Sequence, residues 1–415
     1  MSQFYEFFAG AGLARLGLGA DWKCLWANDY DPKKKEVYTH NFGDDHFVLD
    51  DVATIDAQSL PAAADMAWAS FPCVDLSLAG WQRGMQARHS GAFWAFWRIM
   101  RDLHDVGKRP PLIVIENVVG LLSHDDFRGL CAALSALHMT FGALVIDAER
   151  FVPQSRPRVF LVAVDADAPV ERLAMKAPSD NPWAPTALLA AHDRLPKELQ
   201  RLWRWWRLPA PPSRTMGLAQ VVDDVADDSN LWNSDAYTQR LLGMMTPRNA
   251  AKVAQPLLMD KAVGTLYRRM RDGVQRAEVR FDDVAGCLRT PRGGSSRQTL
   301  VIVTRDRVRS RLLTPREAAR LMGVPDTFWL PDSYNDAYLA MGDAVAVPVV
   351  AWLSTYLLLP LHAAIAVQVE RERGEAVVSA TRIKRMATHR KRAEKLAAQW
   401  DAAASPHSSS SLSVG

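Results

Sequence analysis

A cysteine directly after a proline, at the end of an apolar run, is the most reactive-looking residue in this 415-residue sequence. The run is MAWASFP (66–72), and Cys73 opens the polar loop that follows it. An isolated cysteine is usually a small buried hydrophobe. Here Pro72 stiffens the turn, which suits a thiol presented as a nucleophile. Glu116 and Asn117 close a second apolar run, LIVI, where a carboxylate serves either as a helix cap or, in a dry site, as a proton donor. Arg156 and Arg158 lead into a third run, RVFLVAV, and two arginines one residue apart suit anion or base-edge recognition. Phe8-Ala9-Gly10-Ala11-Gly12 follows the first apolar run. Such glycines fit a plain tight turn or a loop that lets a cofactor approach backbone amides. Asn28-Asp29 stands about twenty residues later, where an acid can hold two ribose hydroxyls, so an adenosine-containing cofactor is expected. The third glycine of a dinucleotide fingerprint is missing, which points away from a dinucleotide.

The elements that must position these groups are short apolar runs alternating with amphipathic stretches. FYEFFAG (4–10), CLWAND (24–29), HFVLD (46–50), MAWASFP (66–72), LIVIEN (112–117), ALVID (143–147) and RVFLVAV (158–164) read as buried strands. GAFWAFWRIMRDLHDVG between two of them has apolar residues at helical spacing. Strand, helix, strand repeated this often predicts an open, mostly parallel α/β sheet, whose strand ends flank the ligand crevice. Every group named above falls at such an end.

Beyond residue 168 the periodicity weakens, and 169–310 reads as a smaller, irregular domain. Strand, turn and helix signals return in RLLTPREAARLMGVPDTF (311–328), and a return segment, 311–370, is expected to complete the first domain. Residues 371–415 carry a basic helix pattern and a serine-rich end, disordered by composition. With 48% hydrophobic and 23% charged residues, the chain as a whole has globular composition, which excludes a fibrous or wholly disordered protein. The formal net charge of +4 permits a nucleic-acid partner without requiring one. The four cysteines are far apart with no CxxC pair, so neither a disulfide framework nor a metal site is expected. MSQFYEFF lacks the basic start of a secretory leader. The stretch 344–369 has no charged residue and is long enough to span a bilayer, but Pro348 and Pro360 interrupt it, so a buried helix is expected instead.

Taken in order, these motifs resemble the DNA cytosine-5 methyltransferase family. The resemblance runs through FAGAG (8–12), Asn28-Asp29, Asp51-Val52, FPCVDLSLAG (71–80), IENVVGLL (115–122), QSRPR (154–158), RLLTPREAARLMGVPD (311–326) and MGDAVAVPV (341–349). It implies an S-adenosylmethionine-dependent, Rossmann-like methyltransferase fold with 169–310 as target-recognition domain. The expected reaction is methyl transfer to carbon 5 of a cytosine flipped out of duplex DNA. Cys73 would add to carbon 6, Glu116 would engage ring nitrogen 3 and Asn117 would hold the Glu116 loop. Arg158 would reach the carbonyl at carbon 2, and Arg156 would steady the thiolate and a nearby phosphate. The uncharged helix would return to pack on the first strand and helix.

For the cofactor, and its product S-adenosylhomocysteine, the resemblance implies Phe8 and Tyr30 against the adenine and Asp29 on the ribose. It sets Asp51 on the adenine amino group and Ala9, Gly10 and Gly12 near the methionine end. Val52, Pro72, Phe93, Asp343 and Val345 complete the walls. Gln82, Arg83 and Arg88 lie in the expected mobile segment 78–91, and Arg289, Arg292 and Arg297 flank a glycine pair suited to guanine edges. Three residues depart from the family pattern: Val74 for a common Gln, Glu6 for Asp, and Asp343 for the usual Asn, where its charge bears on cofactor affinity. Expected partners are double-stranded DNA and a cognate restriction endonuclease, for a monomer in a bacterial or phage cytoplasm with no membrane attachment. An RNA cytosine-5 methyltransferase and a catalytically silent DNA-binding protein are the competing readings. An NAD enzyme on a similar sheet would have no use for the Pro-Cys and Glu-Asn pairs.

Overall fold

The structure, a computed structural model, describes residues 1–72, 91–123, 125–178, 182–211, 213–254, 261–288 and 297–369. Seven strands make the main sheet: β1 Ser2–Phe7, β2 Trp22–Asp29, β3 Phe47–Leu49, β4 Met66–Ala69, β5 Leu112–Val118, β6 Met139–Asp147 and β7 Pro157–Asp165, in the order β3-β2-β1-β4-β5-β7-β6. All the strands read from sequence are present. β1 to β5 pair in parallel, and β4 and β5 are buried on both faces, as their unbroken apolar runs require. β7 is the exception and runs antiparallel to both its neighbours. The connection 148–156 between β6 and β7 is too short for a parallel crossover, which needs a dozen residues or more.

Helices α1 Leu13–Leu18, α2 Pro32–Phe42, α3 Ala92–Asp105 and α4 Asp126–Ala136 accompany the sheet. In α3 the buried residues are Phe93, Phe96, Ile99, Met100 and Leu103, one stripe at spacings of three and four that joins the core beneath the sheet. α2 starts where the Asp31 side chain accepts from the Lys33 amide and Pro32 presets the first turn. The strand order reverses between β1 and β4, so the carboxyl ends of these two strands open a crevice.

Past β7 the structure departs from the simple division at residue 168. Two-stranded β8 Ala174–Met175 and β9 Trp205–Trp206, with α5 Thr186–Asp193 and α6 Lys197–Leu202, stay with the main sheet. They cover the edge strand β6. The Val145 amide donates to the Trp183 carbonyl at 2.8 Å, the Arg204 amide to Phe141 at 2.7 Å, and the Trp206 indole N–H to Gly142 at 3.0 Å. Leu188, Trp203 and Trp205 join the main core, so this stretch shields an otherwise open sheet edge.

Next come α7 Leu218–Val221, α8 Asp235–Gly243 and α9 Pro247–Ala254, then a sheet of β10 Lys261–Arg271, β11 Val274–Arg280, β12 Thr299–Thr304 and β13 Val308–Leu312 in the order β11-β10-β12-β13. The region is thus more regular than its sequence suggested, with a small core of its own around Leu266, Ala277, Val279 and Val301. The chain finishes its main unit with α10 Pro315–Leu321, α11 Tyr334–Gly342, α12 Val347–Leu353 and a π turn, Ser354–Leu358.

As expected, the uncharged run returns to the start of the chain. A Cβ on Gly17 of α1 would stand 2.5 Å from Val350 Cβ, so the two helices cross in close contact. The Trp22 indole N–H donates to Ser354 Oγ at 3.0 Å, and Ser2 Oγ lies 3.1 Å from His362 Nδ1. The helical stretch Tyr334–Val369 is long and apolar enough to cross a membrane, and just over half of its apolar window is buried in the molecule. Residues 1–362 form one compact unit, and beyond it residues 363–369 are described.

Candidate active site

β1 runs directly into the glycine turn. Phe8 and Gly10 both take φ +57°, a region open to glycine and costly for phenylalanine. The Ala9 amide donates to the Asn28 carbonyl at 2.8 Å, and the Gly10 amide to Asp29 Oδ2 at 2.9 Å. Asp29 Oδ1 accepts from the Asp31 amide at 3.0 Å, so one carboxylate ties the glycine turn to the start of α2. Burial pushes the Asp29 carboxyl above its usual range, while the Lys34 ammonium and these two amides pull it back. Asn28 donates to the carbonyls of Val48 and Asp50, fixing the end of β3 beside it.

These residues line a cavity of about 620 Å³ at the strand ends. From the expected sites it gathers Phe8, Ala9, Gly10, Asp29, Tyr30, Pro72, Asp343 and Val345 together with Glu116, Asn117, Arg156 and Arg158. The reversed direction of β7 is what brings the arginines here. Its start lies beside the carboxyl end of β5, where Val118 pairs with Arg158 and Glu116 with Phe160. Arg158 therefore sits diagonally across from Glu116 on the same face. Its Nε is 3.1 Å from Glu116 Oε1, and both side chains are largely buried. Asn117 Nδ2 donates to the Phe71 carbonyl at 3.0 Å while its Oδ1 accepts from the Val118 amide. The end of β5 thus holds the strand exit that leads through Pro72 to Cys73.

Other expected residues lie elsewhere. Cys73, Gln82, Arg83, Arg88, Arg289 and Arg292 fall outside the described residues. Gly12, Asp51, Val52 and Phe93 do not line this cavity. A Cβ at Gly12 would stand 2.4 Å from the Phe42 ring, which makes its role the close approach of α2. Asp51 is exposed and accepts from the Ala53 amide, and Val52 and Phe93 are buried in the core, Phe93 against Phe71. Arg297 turns toward the return segment, over the rings of Tyr334 and Tyr338, and donates to Asn335. Arg156 is wholly buried. It donates to the carbonyls of Leu288, Gly342 and Ala344 and lies 3.3 Å from Cys287 Sγ. Burial, reinforced by the Arg158 charge, lowers its pKa to about 10, so it remains a cation at neutral pH.

Two features escaped the sequence reading. Lys34, on the inward side of α2, lines the same cavity and pairs with Asp343 at 3.1 Å. The triple lysine at 33–35 hid it, because only the helix turn decides which of the three faces inward. The other is a second cavity of about 650 Å³ between the 155–157 stretch and the antiparallel sheet, edged by Arg248, Lys252, Arg269 and Arg280. Along the extended chain the side chains alternate: Ser155 and Pro157 line this basic cavity, Arg156 and Arg158 the first.

Comparison with known proteins agrees with this geometry. The chain is 24% identical over 360 residues to the type II methyltransferase M.Bsp6I of a Bacillus species, covering 84% of this chain and 96% of that protein. It is 25% identical over 359 residues to M.HhaI of Haemophilus parahaemolyticus, covering 85% and 93%. In fold it is similar to the crystal structure of the Schizosaccharomyces pombe Dnmt2 methyltransferase, with a TM-score of 0.56 at 17% identity over 87% of this chain and 99% of that one. A putative DNA modification methyltransferase from an Escherichia coli prophage gives 0.51 at 15% identity, over 85% and 97%. The family model for C-5 cytosine-specific DNA methylases matches residues 2–357. With the crevice, the Glu-Asn strand end and the arginines of β7 in place, the chain belongs to the C-5 cytosine-specific DNA methylase family and is a DNA cytosine-5 methyltransferase.

Proposed function

We propose that the protein methylates carbon 5 of a cytosine flipped out of duplex DNA, through a covalent adduct on Cys73, with S-adenosylmethionine as methyl donor. One observation carries the reading: Glu116, Asn117, Arg158 and the Phe71–Pro72 exit meet on the same cavity as Gly10 and Asp29. The residues suit the cofactor. Beyond Gly10 a side chain would meet nothing within 4 Å, so the turn leaves open space for a ligand. Asp29 offers a buried acid for ribose hydroxyls, and Phe8, Phe71, Pro72 and Val345 offer apolar wall. When bound, S-adenosylmethionine supplies an electrophilic methyl group.

Cytosine carbon 5 is too electron-poor to accept that methyl unaided. The Cys73 thiolate adds to carbon 6, forming a carbon–sulfur bond and moving the ring electrons toward carbon 5. Glu116 gives a proton or hydrogen bond to ring nitrogen 3 as charge builds there, and Arg158 holds the Glu116 carboxyl and faces the pyrimidine carbonyl. After carbon 5 takes the methyl, a base removes its proton, the ring double bond reforms and Cys73 leaves as thiolate. Inside a duplex none of these atoms is accessible, so the base must be extruded at a cost of a few kcal/mol. The basic cavity edged by Arg248 and Lys252 suits the phosphate backbone of that duplex. The proposal extends to a cytoplasmic monomer that works beside a cognate restriction endonuclease.

The test is mechanism-based trapping. The protein is incubated with S-adenosylmethionine and DNA carrying 5-fluorocytosine, whose carbon 5 has no proton to lose, and run on a denaturing gel. A covalent protein–DNA band that vanishes in Cys73→Ser is expected. A band with matched RNA and none with DNA would replace the substrate, and DNA binding without any adduct would refute the mechanism.

A further inference from the structure

Asp343 puts a carboxylate where the family pattern has a neutral side chain, and it does so in the cavity that Asp29 also lines. Two acids facing one cavity repel each other and would leave a net double negative charge. The structure answers with Lys34, whose Nζ lies 3.1 Å from Asp343 Oδ2 and whose side chain lines the cavity with both acids. Burial alone would lower the Lys34 ammonium, but Asp343 and Asp29 outweigh it and hold it above its ordinary value. Of these three groups, two carboxylates and one ammonium leave a single net negative charge, the same as Asp29 beside a neutral residue; Glu6, which lines the same cavity, is a separate acid whose burial raises its pKa to about 7. Lys33, the preceding residue, makes a similar pair with Asp336, but it is exposed and is not on the cavity wall.

We propose that Lys34 is a positioning residue of the cofactor cavity, paired to Asp343 so that the added carboxylate is neutralised and held in a fixed place toward the ligand. The inference rests on the reading that the cavity takes S-adenosylmethionine. Lys34 would act through Asp343 and Asp29, not on the reacting atoms. Removing it leaves Asp343 unpaired in the cavity that Asp29 also lines; removing Asp343 as well restores the neutral arrangement. The two substitutions are therefore coupled, and the second should repair the first.

Isothermal titration of the full chain with S-adenosylhomocysteine tests this, using wild type, Lys34→Met, Asp343→Asn, the double variant, Lys34→Arg and Lys33→Met. Lys34→Met should bind about fivefold more weakly, the upper end for a pair with one half-buried and one exposed partner. The double variant should return to within about twofold of wild type, Lys34→Arg should stay close to it, and Lys33→Met should be unchanged. In turnover, Lys34→Met should raise the cofactor KM more than it lowers kcat. Wild-type affinity in Lys34→Met, or a double variant as weak as the single one, overturns the proposal. So does a lowered melting temperature with affinity intact, which would mark a clamp between α2 and the return segment and nothing more. If Lys34→Met does not fold, Lys34→Gln takes its place in the cycle. Wild type that fails to bind S-adenosylhomocysteine refutes the cofactor reading itself and is distinguishable from all of these.

Discussion

Glu6 shows how far one buried residue can set the behaviour of the whole site. It lies at the end of β1 on the cavity wall, fully buried, where its carboxyl oxygens accept from the Arg15 amide and the Tyr38 hydroxyl. Burial pushes its pKa up to about 7, against the pull of Arg15 and Tyr38. In the unfolded chain the same group titrates near its ordinary 4.5. The folded form therefore keeps a proton that the unfolded form has lost, and the resulting stability is full below pH 4.5 and lost as pH rises toward 7. The loss across that window is on the order of 3 kcal/mol. Urea unfolding at pH 5 and pH 8 should show Glu6→Gln gaining on wild type by about that amount between the two values, and parallel curves would show that Glu6 ionises freely. Asn117 and Arg158 illustrate the opposite case, where a residue matters by what it holds: one the Phe71 carbonyl, the other the Glu116 carboxylate.

At the scale of elements, the edge of the main sheet is the most exacting packing problem in the chain. Gly142 in β6 faces the segment that covers this edge, and a Cβ there would stand 1.8 Å from the Arg204 carbonyl oxygen and 3.0 Å from the Trp206 indole nitrogen. The obstacle is backbone and cannot rotate away. Gly142→Ala should cost more than about 3 kcal/mol, read as a fall in melting temperature by calorimetry, and an unchanged temperature would mean the cover is loose. The parallel strands were legible because both-face burial writes unbroken apolar runs into the sequence. The direction of β7 was not, since an apolar run carries no arrow; only the shortness of 148–156 hints at it. Nor was the hairpin of β10 and β11 recognised among so many arginines. Its signal was nevertheless present in Asp272-Gly273, which take φ +49° and +73° between strands whose last pair is Arg271 with Val274. The tryptophans of 183–206 read as part of another domain because hydrophobicity alone does not say which core a side chain joins.

For the molecule as a whole, Arg156 is the residue that gathers distant parts. From the start of β7 it donates to carbonyls at 288, next to the antiparallel sheet, and at 342 and 344, on the wall of the main cavity. The motif identified the residue, while its partners, more than a hundred positions away, could come only from the fold. Arg156→Met should leave those carbonyls without donors and lower stability by about 3 kcal/mol or more, measured by urea unfolding; a loss under about 1 kcal/mol would show that the clamp is redundant. The pairing of Lys34 with Asp343 was hidden in the same way, by separation along the chain. The close crossing of α1 and α12 has a consequence for how the protein is made. The buried face of α1, Leu13, Ala14, Gly17 and Leu18, is sealed by a helix more than three hundred residues downstream. At the ordinary pace of translation, that partner emerges from the ribosome roughly twenty seconds to a minute later. For that interval the nascent chain carries an unsealed apolar face beside its glycine turn, a surface on which a chaperone has time to act before the main unit can close.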